Sequence, residues 1–305
     1  MEKISYGGWP NCLRLANVSV ELVATSDVGP RIIRFGFQGG ENEFYEDESQ
    51  LGKTGSGDFL LYGGHRLWAA PEAMPLTYYP DNGRVKAGMK DGILTLTAPV
   101  ETTTGIGKEI SIFLDPFSDR VSVRHRLKNF GSSTVRLAPW ALTVMKSGGV
   151  AVFPQEEYAA HSSADGYSLL PNRSLALWPY TDLSDSRLRF TGRLILLRQD
   201  PSAESPLKLG FSNRRGWAAY IRGSSMFVKR SSYVEGAEYP DLGSSFESFT
   251  NSEMLELETL GPLASLEPGQ SATLDEEWFL FGGIRIPETG DALEALLIDK
   301  MKPFA

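Results

Sequence analysis

Short runs of alternating apolar and polar residues recur along this chain, separated by Gly, Pro, Asn, Asp and Ser. A period of two is that of a half-buried strand, whose side chains point to opposite faces in turn. Val18-Ser19-Val20-Glu21-Leu22 follows it, and Gly29-Pro30 leads into Arg31-Ile32-Ile33-Arg34-Phe35-Gly36-Phe37, closed by Gly39-Gly40. Asp91-Gly92, a tight-turn dipeptide, precedes Ile93 to Thr97. Further strands are expected at Ile110 to Leu114, Val121 to Leu127, Leu194 to Leu197, Trp217 to Ile221, Met226 to Lys229, Met254 to Leu260 and Glu277 to Phe281. One helix is predicted after Pro287, where Thr289 can cap a segment carrying Leu293, Leu296, Leu297 and Met301 at helical spacing. Many strands and a single helix predict an all-β fold: a large antiparallel β-sandwich with a short C-terminal helix covering a sheet face or edge. No repeat, low-complexity tract or linker interrupts the pattern, so residues 1–305 are expected to form one domain.

Composition sharpens this. With 305 residues, 41% of them hydrophobic, the chain can bury a large core. Its net charge of -8, with no Lys/Arg-rich stripe to oppose it, argues against nucleic acid as a partner. Cys12 is the one cysteine, so no intramolecular disulfide can form, and it reads as a packed thiol rather than a nucleophile. No window approaches the roughly 18 apolar residues of a membrane span, and the first ten residues lack an apolar leader core. The expectation is a cytoplasmic protein with no membrane partner. The oligomeric state is left open.

The three histidines differ in context. His125 alternates in phase with Val121, Val123 and Leu127, which predicts a buried imidazole satisfied by a neighbour. His161 lies in a loop-like stretch and reads as solvated. His65 follows Gly63-Gly64 and precedes Arg66, Leu67, Trp68 and, after Ala70-Pro71, Glu72. Two glycines admit close backbone approach, and an imidazole, guanidinium, indole and carboxylate together suit a polyhydroxylated ligand. In Met254 to Leu260, alternation puts Glu256 and Glu258 on one face and Leu255 and Leu257 on the other. That carboxylate face is either solvated or points into a pocket that tunes a pKa for proton transfer.

Lys208 and Lys229 read first as strand-end surface charges and second as ligand cations. Tyr239-Pro240-Asp241 is a turn able to present a phenol and a carboxylate, and Trp140 serves either the core or a stacking platform. No Cys/His metal spacing, phosphate loop, dinucleotide glycine pattern or nucleophile elbow occurs, so neither a metal nor a cofactor is expected, with a bound calcium left open.

Several motifs occur in a telling order: Asp27-Val28-Gly29-Pro30-Arg31-Ile32, Gly63-Gly64-His65-Arg66-Leu67-Trp68, Pro139-Trp140-Ala141-Leu142-Thr143, and Leu255 to Pro262. Leu266-Glu267-Pro268-Gly269-Gln270 and Glu276-Glu277-Trp278 come after them. Together they resemble a bacterial branch of the galactose mutarotase-like (aldose 1-epimerase-like) superfamily, over most of the chain from Val18 to Phe281. The resemblance implies a supersandwich fold with a carbohydrate cleft, in which a glutamate removes the anomeric hydroxyl proton and a histidine protonates the ring oxygen. It implies Glu258 as the base and His65, with Arg66 beside it, at the ring oxygen. It departs from the family where a general-acid histidine should follow the Asn129-Phe130-Gly131 turn, since Pro139-Trp140 stands there and an indole is no acid. Either His65 or Lys208 takes that role, or the protein binds sugar without turning it over.

The expected ligand is therefore a mono- or oligosaccharide. Glu258 and His65 are the candidate catalytic pair, and Arg66, Glu72, Trp140, Lys208, Tyr239, Asp241 and Glu256 the candidate substrate contacts. Anomer interconversion is the leading activity, a non-catalytic sugar sensor the alternative, and a glycoside hydrolase or lyase a third reading.

Overall fold

The computed structural model describes residues 1–156, 161, 170–284 and 290–301. Two large antiparallel sheets face one another. The first runs, in spatial order, Glu2–Tyr6, Trp9–Ala16, Val20–Thr25, Arg31–Phe37, His65–Ala70, Val135–Lys146, Met254–Leu260, Phe246–Thr250, Leu207–Phe211 and Leu175–Leu177, with Ala264–Leu266 paired to the start of Val135–Lys146. The second runs Leu188–Phe190, Leu194–Arg198, Val150–Pro154, Trp217–Arg222, Ser225–Arg230, Ser271–Phe281, Val121–Asn129, Ile106–Leu114, Ile93–Thr97 and Lys86–Lys90. The all-β sandwich expected from the alternation is the observed architecture. Arg31–Phe37, Ile93–Thr97 and Met254–Leu260 fall at their predicted bounds; the strand expected at Val18 to Leu22 starts later, at Val20–Thr25, and the other strands extend further, Glu277 to Phe281 being the end of Ser271–Phe281.

The inner faces interdigitate around Phe35, Phe44, Phe227 and Trp278, whose rings meet edge-on or tilted at centroid distances of 5.6–6.1 Å. Ser271–Phe281 supplies the inward row Ala272, Leu274, Glu276, Trp278 and Leu280, apolar but for one glutamate. The outer face of the second sheet is also covered. Helix Gly290–Met301 lays Leu293, Leu297 and Met301 on Val152, Leu196, Ile221, Met226 and Val228. Burial of a side chain such as Leu297 contributes roughly 1.5–3 kcal/mol. Pro287 and Thr289, the expected start of this helix, lie outside the described residues. No helix among them is long and apolar enough to cross a membrane.

Gly63 and Gly64 have φ of 98° and 70°, in the left-handed region. A Cβ at Gly63 would collide with the Tyr45 carbonyl oxygen, and one at Gly64 with that of Ile32. The close approach these glycines permit is by the chain's own backbone. Arg31 completes the corner: its Nη1 donates to the carbonyls of Leu61 and Gly63, and its Nη2 pairs with Asp81 at 2.9 Å. Gly63→Ala should therefore cost about 1–3 kcal/mol in urea unfolding. Gly88→Ala, on an exposed strand with open space at its Cβ, should change stability by less than about 0.5 kcal/mol; equal effects would refute this role for the corner.

Candidate functional site

His65–Ala70 enters the sheet as a strand, and alternation sorts its side chains between two faces. His65 and Leu67 turn into the sandwich; Arg66 and Trp68 turn to the outer face. Across that face, register brings Arg31, Arg66, Leu142, Glu258, Glu247 and Gly210 into one row on six successive strands. Trp68 and Trp140 lie opposite one another in the flanking row, their rings 5.3 Å apart. Lys208 reaches over from the sixth strand and puts Nζ 3.2 Å from Glu258 Oε2 and 2.9 Å from Glu247 Oε2. Its ammonium also sits 4.6 Å from the ring centres of both Trp140 and Trp178, a cation–π clamp. Trp140 Nε1 donates to Glu258 Oε2 at 2.9 Å. Beside this group Arg66 pairs with Glu256 at 2.9 Å and stacks 4.4 Å over Trp68.

The floor is buried and incompletely satisfied. Glu258 and Glu247 have no exposed surface, and Lys208 is 5% exposed. Glu258 Oε1, Arg66 Nε and Arg66 Nη1 lack hydrogen-bond partners among the described residues, as do both Glu247 oxygens apart from the Lys208 contact. Burial raises Glu258, Lys208 partly offsets this and Glu256 adds to it, so its carboxyl is pushed up to about 7. Burial drives Glu247 well above the usual carboxylate range despite Lys208 beside it. Burial opposes the charge on Lys208, but the two glutamates outweigh it and raise its pKa. Lys208 is thus buried rather than the surface charge first expected, because two acids partner it.

His65 is not on this face. It lies on the other face of the sheet from Glu258, wholly buried, and belongs to a network that ties the two sheets. His125 Nδ1 lies 3.0 Å from the Leu274 carbonyl, which can only accept, so Nδ1 donates and Nε2 accepts. His65 Nε2, 2.7 Å away, then donates, and its Nδ1 accepts from the Thr143 hydroxyl at 2.9 Å. Thr143 accepts in turn from Lys229 Nζ, which also donates to the carbonyls of Ala141 and Leu257 and pairs with Glu276 at 3.0 Å. Thr259 and Trp278 donate to Glu276. His125 is the satisfied buried imidazole its strand pattern predicts, while Lys229 is buried, contrary to its surface reading. Ligand atoms of His65, His125 and Glu276 lie within 4.8 Å of one another. With Lys229 beside Glu276 and both imidazoles bonded, the set reads as a closed hydrogen-bond network.

Other expectations divide. Glu72 is exposed and accepts from Tyr78, whose ring packs on Trp68 at the edge of this face. Asp241, at left-handed φ 48°, lies close enough to Glu247 to raise it. Tyr239 is a turn brace: its hydroxyl accepts from the Val234 N–H and its ring stacks on Tyr233. His161 is exposed and Cys12 buried, burial raising its thiol to about 11. Glu247, Trp178 and Tyr78 were not anticipated; Phe246-Glu247-Ser248-Phe249-Thr250 is a short strand without clean alternation.

A groove of about 1030 Å³ opens on the far sheet, lined by Lys90, Phe113, Arg124, Arg214, Arg230 and Tyr233. Among its cations, Arg124, Arg214 and Arg230 pair with Asp275, Glu235 and Glu277. The unsatisfied polar atoms favour the Glu258 face instead.

No family model matches the chain, and no curated protein matches it by sequence. Solved structures do match its fold. A galactose mutarotase-like protein from Lactobacillus casei superposes with TM-score 0.59 at 10% identity, over 89% of this chain and 100% of that one. A proposed aldose 1-epimerase from Escherichia coli K12 gives 0.56 at 14%, over 89% and 99%. A proposed mutarotase from Salmonella typhimurium gives 0.55 at 9%, over 89% and 90%. The fold is mutarotase-like.

Two outcomes test the inner network. Lys229→Met, which strands Glu276, should lower stability by about 3–5 kcal/mol, and Lys229→Met with Glu276→Leu should recover most of it in urea unfolding; a silent single variant would contradict the network. Burial holds His65 and His125 below their usual value of 6.5. The unfolded chain therefore takes up protons first, and their contribution is full above pH 6.5 and lost below it. Glu258 acts in the opposite sense, so the comparison is with His65→Gln: wild type should lose more stability than the variant as pH falls below 6.5.

Proposed function

We propose that the outer face of the first sheet binds a monosaccharide, or the end of an oligosaccharide, and that Glu258 takes and returns its anomeric hydroxyl proton. One observation carries the reading: a fully buried carboxylate with one unpartnered oxygen and a pKa near 7 lies among indoles in a mutarotase-like fold. A base poised near neutrality exchanges protons in both directions with little driving force either way. Trp178 and Tyr180, only partly buried, border the face with rings suited to sugar C–H groups, and Arg66, Glu256 and Lys208 beneath them are the candidate hydroxyl partners. Tyr180, half exposed near Lys208 and Glu258, and Glu72 border the same face.

Neither buried imidazole can serve the ring oxygen, because both lie inside the sandwich. Lys208 holds its proton too firmly to release it and acts as a fixed positive charge. A second reading, sugar binding without turnover, draws on Glu258 Oε2 already accepting from both Trp140 and Lys208. Glycoside hydrolysis needs carboxyl groups flanking a bond, whereas Glu247 and Glu258 are cross-strand neighbours contacting one ammonium.

Polarimetry on α-glucose and α-galactose should show mutarotation above the buffer rate. Glu258→Gln should lose about 10²–10⁴-fold of it while thermal-shift binding persists. Binding with no turnover over a broad sugar panel would select the second reading. Neither binding nor turnover would reject both.

A further inference from the structure

The proton that ring opening requires at the ring oxygen has a source on the same face. We propose that Glu247 is the acid partner of Glu258: it carries a proton at neutral pH and delivers it to the sugar ring oxygen. This rests on the carbohydrate reading above and names the residue that reading lacks.

Glu247 and Glu258 stand directly opposite one another on adjacent strands, and Lys208 Nζ touches both. All three are buried. Two carboxylates and one ammonium would leave a net negative charge in a buried site, and one proton removes it. The charged neighbours among the described residues divide: Lys229, behind the sheet, favours the charged form of Glu258. Glu256 on the Glu258 strand and Asp241 on the neighbouring turn are acidic and favour protonation; Arg66 is engaged by Glu256; Trp140 donates to Glu258; Tyr180 faces Lys208 from its loop. The proton falls on Glu247, because Glu258 accepts from both the Trp140 indole and Lys208, whereas among the described residues Glu247 is contacted by Lys208 alone. The direction of its pKa agrees.

The fold makes room for this side chain. Gly210 lies opposite Glu247 on the next strand, and a Cβ there would come within 3.2 Å of Glu247 Cγ and collide with Ser244 Oγ. Gly210 has no left-handed φ that would demand glycine on its own. The missing side chain is where Glu247 folds down beside Lys208.

The step balances. Glu258 takes the anomeric O–H proton, the C1–O bond to the exocyclic oxygen becomes a carbonyl, and the bond from C1 to the ring oxygen breaks. The ring oxygen takes its proton from the Glu247 carboxyl. After rotation about C1–C2, Glu247 recovers that proton as the hydroxyl attacks C1, and Glu258 returns its own to the new anomeric oxygen. Nothing is oxidised and no co-reactant is consumed.

Two readouts test this on the full chain. In infrared difference spectra at pH 7 the wild type should show a protonated-carboxyl C=O band that Glu247→Gln abolishes. In polarimetry Glu247→Gln should lose about 10²-fold or more in kcat with KM little changed, and lose the alkaline limb of the pH–rate profile. Glu247→Asp should restore part of the rate. Gly210→Ala, which displaces Glu247 without altering its chemistry, should lower kcat in the same way. An active wild type whose band survives Glu247→Gln, or a Glu247→Gln rate within about threefold of wild type, overturns the acid assignment and leaves the role of Glu258 standing. A wild type that binds sugar without turnover overturns catalysis by both residues, and the band then reports only where the shared proton sits.

Discussion

One ammonium shared by two buried carboxylates governs the outer face of the first sheet. Lys208 touches Glu247 and Glu258 at 2.9 and 3.2 Å and is held between two indoles. Such a group is costly to bury, and its desolvation is only partly offset by its own attraction. Its persistence on a sheet face, with polar atoms left unpartnered, marks a place organised for something other than stability. The cross-strand register fixes the spacing of the two acids; burial raises both carboxyls, and the lysine between them opposes that rise.

The same sheet carries a second ionic cluster on its other side. Lys229 donates to the carbonyls of Ala141 and Leu257, on the strands whose neighbouring residues Leu142 and Glu258 face outward. The two clusters lie back to back and differ in kind. Inside, each donor finds an acceptor, from Lys229 through Thr143 and His65 to His125 and the Leu274 carbonyl. Outside, Glu258 Oε1 and two Arg66 nitrogens find none among the described residues. Satisfied networks rigidify a core; unsatisfied polar atoms beside aromatic rings are what a polyhydroxylated ligand can complete.

Much of the fold was legible because antiparallel strands with one apolar face announce themselves by alternation. Val121–Asn129 placed His125 inside on that basis alone, and Met254–Leu260 placed Glu256 and Glu258 together. His65–Ala70 hid its faces: all six residues are buried, since loop aromatics such as Phe59 cover the outer side. Adjacent polar residues at His65 and Arg66 looked like one binding loop, yet a strand must send them to opposite faces. Lys208 and Lys229 looked like surface charges because their partners, Glu247 and Glu276, lie tens of residues away. Glu276 did leave a trace, falling in phase with Ala272, Leu274, Trp278 and Leu280; a carboxylate in such a row calls for a buried cation. Pairing across distant strands was beyond local pattern, and the site depends on that pairing.

The account is tested most directly by a crystal structure of the chain with a bound monosaccharide. It predicts the sugar on the outer face of the first sheet, against Trp178 or Tyr180, with its anomeric oxygen within about 3.2 Å of Glu258 and its ring oxygen turned toward Glu247. A sugar seated instead in the groove of the far sheet, with the Glu258 face untouched, would contradict it.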